Sequence, residues 1–292
     1  MKLNKQKIIL VTGGAGFIGS HLIEKLVEDK NNKVVSLDNY FIGTIDNHIN
    51  GAEYIKGETK DIEEHTKELP DIVYHLGEYP RVLTSFDDIE LVVRFNILGT
   101  SAVLEFCRKN NIKLVYAGSS TKFGDNIGGK NESPYAWSKA NNTELVNNYG
   151  KWFNLPYVIV YFYNVYGGRE ISKGKYATLI GIFSRKYKNK KVLPVVSPGI
   201  QRRAFTHVDD IVEGLVLAGE KGAGDGYCLG AEKTYSVLEI AELFGGEIEM
   251  LPEKRGDRRA STIDLVKMKE LGWSAKIDIV DYIKEFKENN SL

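Results

Sequence analysis

The sequence predicts an α/β fold, a doubly wound parallel sheet carrying a smaller C-terminal α/β unit. Three observations predict it. First, short β-rich runs alternate with helical patterns through the first half of the 292-residue chain: "KIILVT", "KVVSLD", "AEYIKG", "DIVYHL", "KLVYAG" and "YVIVYF" read as strands, with helical stretches at 18–29, 89–110 and 136–153 among them. Repeated strand–helix alternation is the mark of a parallel sheet covered on both faces. Second, the first strand runs into a glycine-rich turn, "TGGAGFIG", that opens an amphipathic helix. Third, the second strand ends in a carboxylate, Asp38. The combination describes a Rossmann-type unit.

Each element has its own reason. Gly13, Gly16 and Gly19 follow a G-x-x-G-x-x-G spacing, with Phe17 and Ile18 at the helix start. Glycines there allow a tight turn and close backbone approach, so helix-terminal N–H groups can face a pyrophosphate. The strand–turn–helix context makes this a dinucleotide site rather than a merely structural turn. Asp38 stands nineteen residues after Gly19, where a carboxylate can accept both hydroxyls of an adenosine ribose. It would repel a 2′-phosphate, and neither Asn39 nor Tyr40 beside it brings positive charge, which favours NAD over NADP. Asp61 and Ile62 are read as flanking the adenine, with helix capping the other role open to Asp61. Leu76 and Gly77 end the fourth strand, where a small residue suits backbone passing close to the cofactor.

From about residue 166 the pattern changes to loops and helices. Residues 1–165 are read as the NAD-binding unit, and 166–292 as mainly a substrate-binding unit, with the chain returning to the sheet around 200–225. Hydrophobic residues at 42% and charged residues at 27% suit a globular protein. No segment is apolar for long enough to span a bilayer, and no secretory leader is read before the first strand. Cys107 and Cys228 are the only cysteines, which excludes a disulfide scaffold and points to the cytoplasm. A formal net charge of zero argues against a nucleic-acid partner, although basic clusters at 201–205 and 252–259 suit one anionic ligand. His21 and His75 lack the companions of a metal ligand set, and His207 with Asp209 and Asp210 is read as structural, so no metal is expected.

"ESPYAWSK" places Tyr135 and Lys139 four residues apart on one helix face. Alone, that pair reads as ordinary surface. Beside a dinucleotide it changes meaning, because a lysine and a positive nicotinamide ring both favour the phenolate of a nearby tyrosine. Ser119, Ser120 and Thr121 follow a strand, at the carboxyl edge where ligands bind. A Ser/Thr turn capping a helix is the bland alternative, and it explains neither the glycine loop nor the tyrosine–lysine pair.

"TGGAGFIGSHL", "NILGTSAVLEFCR", "YAWSK", "YFYNVYG" and "RRAFTHVDDIVEGL" together resemble the extended short-chain dehydrogenase/reductases, and within them the NAD-dependent nucleotide-sugar epimerase/dehydratase branch. The resemblance implies that Ser119, Tyr135 and Lys139 are catalytic. It implies that Ser120, Thr121, Asn164 and Arg203 contact a nucleotide-diphosphate sugar, with Lys254 or Arg255 as a second phosphate contact. The implied reaction is inversion at C4 of UDP-glucose or UDP-galactose, with a dehydratase, decarboxylase or keto-sugar reductase using the same Ser/Tyr/Lys set, or a non-catalytic dinucleotide-binding protein, as the alternatives. The implied assembly is a homodimer through the helices at 89–110 and 136–153. Departures from the family pattern bear on the reaction. Ser120 and Thr121 stand where dehydratases carry Asp–Glu, and Tyr161 replaces an arginine associated with decarboxylases. Glu78, Tyr79 and Arg81 stand where small residues are commoner, and the stretch 125–134 is short.

Overall fold

The computed structural model describes residues 6–123, 131–252 and 263–290, without the side chains of Lys122 and Phe123. Its main sheet has seven strands in the order Gly224–Leu229, Tyr157–Phe162, Lys113–Ser119, Ile72–His75, Lys7–Thr12, Asn32–Asp38, Ala52–Lys56. All neighbouring pairs are parallel. The chain winds outward from Lys7–Thr12 to one edge, returns to Ile72–His75, and winds to the other edge. The crevice therefore lies between the carboxyl ends of those two strands, where a doubly wound sheet reverses direction.

Alternation along the strands explains why both faces are covered. Ile9, Val11, Ile72 and Tyr74 point into one core, whereas Leu10, Val73, Leu114 and Tyr116 point into the other. The first core is closed by Leu22, Ile23 and Leu26 of the helix Phe17–Leu26 and by Ile211, Val212 and Leu215 of Val208–Lys221. The second is closed by Val103, Leu104 and Cys107 of Gly99–Asn110 and by Val146 of Pro134–Phe153. The chain thus returns to the sheet with the helix Val208–Lys221 and the edge strand Gly224–Leu229. A third core, around Phe183, Val195, Ile240, Phe244 and Ile283, holds the smaller C-terminal α/β elements together.

The stretch at 89–110 is helical throughout but not uniform. An α-helical start at Ile89–Val92 passes through a π-helical segment, Val93–Leu98, before resuming at Gly99–Asn110. Such widened turns concentrate at functional sites, and this one buries Asn96, whose carboxamide accepts from the Tyr79 N–H at 2.6 Å and donates to Ser138 Oγ at 2.8 Å. Cys107 and Cys228 are buried free thiols. Among the described residues, no helix is long and apolar enough to cross a membrane, and no three His, Cys, Asp or Glu side chains gather as a metal site requires. His207 instead caps the helix Val208–Lys221, its Nδ1 accepting from the Asp209 N–H at 3.3 Å.

Candidate active site

The glycine turn and the loop after the fourth strand press together at the sheet's reversal point. Gly13 has a positive φ of 74°, and a Cβ there would come within 2.9 Å of Gly77 Cα. A Cβ on Gly19 would meet the Gly13 carbonyl oxygen at 2.1 Å, so the helix can begin against the turn only with glycine at that position. Asp38 is buried beside this turn and accepts from the N–H groups of Ala15 at 2.9 Å and Tyr40 at 2.8 Å. Burial raises its pKa, while those two hydrogen bonds act in the opposite direction.

A cavity of about 380 Å³ runs from this turn across the sheet's carboxyl edge. Of the sequence-predicted residues, Gly13, Gly16, Phe17, Ile18, Gly19, Asp38, Asn39, Leu76, Gly77, Ser119, Ser120, Thr121, Tyr135, Lys139 and Asn164 line it. Asp61 and Ile62 do not. Ile62 is core, and Asp61 pairs with Lys60 at 2.6 Å without making a side-chain cap to the helix it precedes; Gly57 and Thr59 form that stretch of wall instead. Arg203 lies off the cavity wall, in the short strand Arg202–Arg203. Lys254 and Arg255 lie outside the described residues.

The far end of the cavity is built by two elements. The strand Lys113–Ser119 delivers Ser119, whose Oγ accepts from the Thr121 N–H at 3.3 Å and from Thr121 Oγ1 at 3.0 Å, leaving its own proton to donate. The helix Pro134–Phe153 begins with proline at its first position, and its cap Ser133 accepts from the Ala136 N–H at 3.0 Å. That start fixes the helix phase, and with it the direction in which Tyr135 and Lys139 project. Tyr135 packs against the buried cluster of Tyr79, Val92 and Phe95, and its hydroxyl makes no hydrogen bond among the described residues.

Lys139 is held more firmly than a surface lysine. Its Nζ donates to the Ala117 carbonyl at 2.7 Å, lies 5.2 Å from the centre of the Tyr116 ring, and forms an ion pair with Glu78. Both side chains of that pair are nearly inaccessible, at 7% and 2% exposure. Sequence reading marked Glu78 only as a departure from habit, and its pairing with Lys139 was not foreseen. The signal available was a charged residue directly after the glycine that ends the fourth strand. Arg81 also lines the cavity, with Nε donating to the Tyr176 carbonyl at 2.8 Å and burial lowering its pKa.

The donor set fits a dinucleotide. The turn leaves no room for side chains at Gly13 and Gly19, and Asp38 stands at one end with polar hydroxyl and amino groups at the other. Comparison with known proteins agrees with this arrangement. Residues 9–230 match the model of the NAD dependent epimerase/dehydratase family. The chain belongs to that family. Solved structures similar to it include a UDP-glucose 4-epimerase from Thermus thermophilus in complex with NAD, at 27% identity and a TM-score of 0.86, covering 97% of this chain and 98% of the other. Similar curated proteins include UDP-glucuronic acid decarboxylase 6 of Arabidopsis thaliana, 28% identical across 97% of this chain and 89% of its own. Another is a dTDP-D-glucose 4,6-dehydratase of Dictyostelium discoideum, 32% identical across 80% and 60% respectively. Three reactions are represented among these relatives, so the choice between them falls to the site.

Proposed function

We propose that the protein is an NAD-dependent epimerase acting at C4 of a nucleotide-diphosphate sugar, with UDP-glucose and UDP-galactose as the substrate pair. The observation that carries this reading is the convergence of Ser119, Tyr135 and Lys139 on one cavity whose other end is the glycine turn and Asp38. The turn and the helix start would hold the pyrophosphate, Asp38 the adenosine ribose, and Lys139 the second ribose. NAD, when bound, supplies a hydride acceptor that can return what it takes. Tyr135, as phenolate, takes the proton of the sugar's 4-hydroxyl, and Ser119 donates a hydrogen bond to the same oxygen. Tyr135 then returns the proton to the oxygen of the inverted centre.

The carboxylates favour epimerisation over elimination. Dehydration across C5 and C6 needs an acid beside the sugar to protonate the departing hydroxyl. Among the described residues lining the cavity only Asp38 and Glu78 carry carboxyls. Asp38 belongs to the glycine-turn end. Glu78 is saturated, accepting at Oε1 from Thr100, Tyr116 and Asn142 and at Oε2 from Lys139. Ser120 and Thr121 follow Ser119 without an acid, which supports a reaction that does not expel water.

Protein mixed with UDP-glucose and no added cofactor should yield UDP-galactose, followed by the sugar anomeric proton in NMR. A product of altered mass would instead identify a dehydratase or decarboxylase.

We further propose a cytoplasmic homodimer. Val92, Phe95, Val103 and Val146 face the core, but Ile89, Val93, Leu98, Trp137 and Trp152 are exposed on the same two helical stretches. A second copy would cover that apolar face. Sedimentation should give twice the chain mass, and Leu98→Glu combined with Trp152→Glu should give the monomer. A monomeric wild-type protein would remove the proposal.

A further inference from the structure

The buried pair formed by Glu78 and Lys139 lies on the cavity wall, and nothing in the proposed proton transfer uses the carboxylate. Its surroundings show how firmly it is placed. Thr12 Oγ1 accepts from the N–H groups of Leu76 at 3.2 Å and Gly77 at 3.0 Å. Its own proton is therefore left for His75 Nδ1, 2.7 Å away. Burial holds the His75 imidazole neutral, its pKa pushed down to about 4. A neutral ring that accepts at Nδ1 carries its proton on Nε2, which lies 3.0 Å from Thr100 Oγ1. Thr100 then donates to Glu78 Oε1 at 3.0 Å. Asn142 at 2.9 Å and Tyr116 at 3.2 Å donate to the same oxygen, and burial raises the Tyr116 pKa well above its ordinary value, so that phenol remains a donor.

A chain of oriented hydrogen bonds thus runs from the sheet's reversal point, through Thr12, His75 and Thr100, to a carboxylate whose remaining oxygen faces Lys139. Hydrogen bonds aligned in this way reinforce one another in a low-dielectric interior. A buried lysine without a counter-ion would place an unbalanced positive charge beside the part of the cavity assigned to the nicotinamide. That charge would oppose the oxidised cofactor, whose ring is positive, and spare the reduced one, whose ring is neutral.

We propose that Glu78 is a positioning residue that fixes Lys139 through this hydrogen-bonded chain and, by balancing its charge, biases the bound cofactor toward NAD⁺ over NADH. The inference rests on the reading of the cavity as an NAD site. An enzyme that must begin each cycle with the oxidised cofactor gains from this bias, because no external oxidant then has to reset it.

The test is the ratio of NAD⁺ to NADH affinity, measured by calorimetry on protein stripped of any co-purified nucleotide. Glu78→Gln keeps the side-chain shape and removes the charge. It should move the ratio toward NADH by about tenfold or more, the scale of one unit charge acting across a partly buried site. Lys139→Met leaves the carboxylate alone and should move the ratio toward NAD⁺, although both affinities fall as a ribose contact is lost. The double variant buries neither charge and should restore the ratio to within about threefold of wild type. If Glu78→Gln does not fold, Lys139→Met and the double variant still test the sign. Wild-type protein that binds neither nucleotide would overturn the NAD reading itself. Wild-type binding with ratios that stay within about threefold in every folded variant would overturn the role of Glu78 alone.

Discussion

Replacement of Tyr135 by phenylalanine is expected to lower turnover by about 10²–10⁴-fold, the range that a positioned acid–base group contributes, while fold and NAD binding stay near wild type. The separation follows from the geometry. The Tyr135 ring is packed against the cluster of Tyr79, Val92 and Phe95, and phenylalanine retains that packing. The hydroxyl removed makes no hydrogen bond among the described residues, so no partner is left stranded, and stability should change by less than about 1 kcal/mol. The effect must then lie in the proton transfer. Single-turnover kinetics with the substrate pair, beside a thermal melt and an NAD titration, checks all three parts. Turnover undiminished in the variant would remove Tyr135 from the mechanism, and a collapsed melt would show that the ring was structural.

The glycine-turn end of the cavity was legible in the sequence because its requirements are local. Gly13, Gly16, Gly19 and Asp38 lie within one strand–turn–helix–strand unit, where spacing alone determines which backbone atoms approach which. Tyr135 and Lys139 were legible for a similar reason, since a helix start with Ser133 and Pro134 fixes their shared face. Asp61 is less legible, because a carboxylate after a strand can serve a ligand, a cap or a neighbouring lysine, and in this structure it pairs with Lys60. Glu78 could be marked as unusual but not understood. Its partners Thr100, Tyr116, Lys139 and Asn142 come from two helices and a strand 22 to 64 residues away, and only the packing of those elements on the sheet brings them together. The π-helical segment at Val93–Leu98 was likewise invisible, since its apolar pattern does not differ from that of a regular helix.

The second large effect is expected at the glycine turn. Gly19→Val should lower the melting temperature by roughly 5–10 °C, corresponding to an overpacking cost of about 3 kcal/mol. It should also weaken NAD binding by roughly 10²-fold, the cost of a small misplacement of a binding group. An added Cβ would stand 2.1 Å from the Gly13 carbonyl oxygen and 2.9 Å from Gly14 Cα, both backbone atoms that cannot swing aside as a flexible side chain would. Gly13 has no room to retreat, since it already passes close to the backbone of Gly77 and its carbonyl accepts from the Gly16 N–H at 3.1 Å. Nor is the helix free to move. Leu22 and Ile23 are fully buried one turn later, so displacing the helix start pulls on the core that closes the sheet. Gly168→Ala is the matching control, because its Cβ would find nothing nearer than His21 at 3.7 Å, an ordinary contact, and should leave both melting temperature and NAD binding unchanged. Equal losses in the two variants would mean that glycine content, rather than the approach of helix to turn, governs the site. A loss confined to Gly19 would place the defect at the junction where the first strand hands the chain to the cofactor.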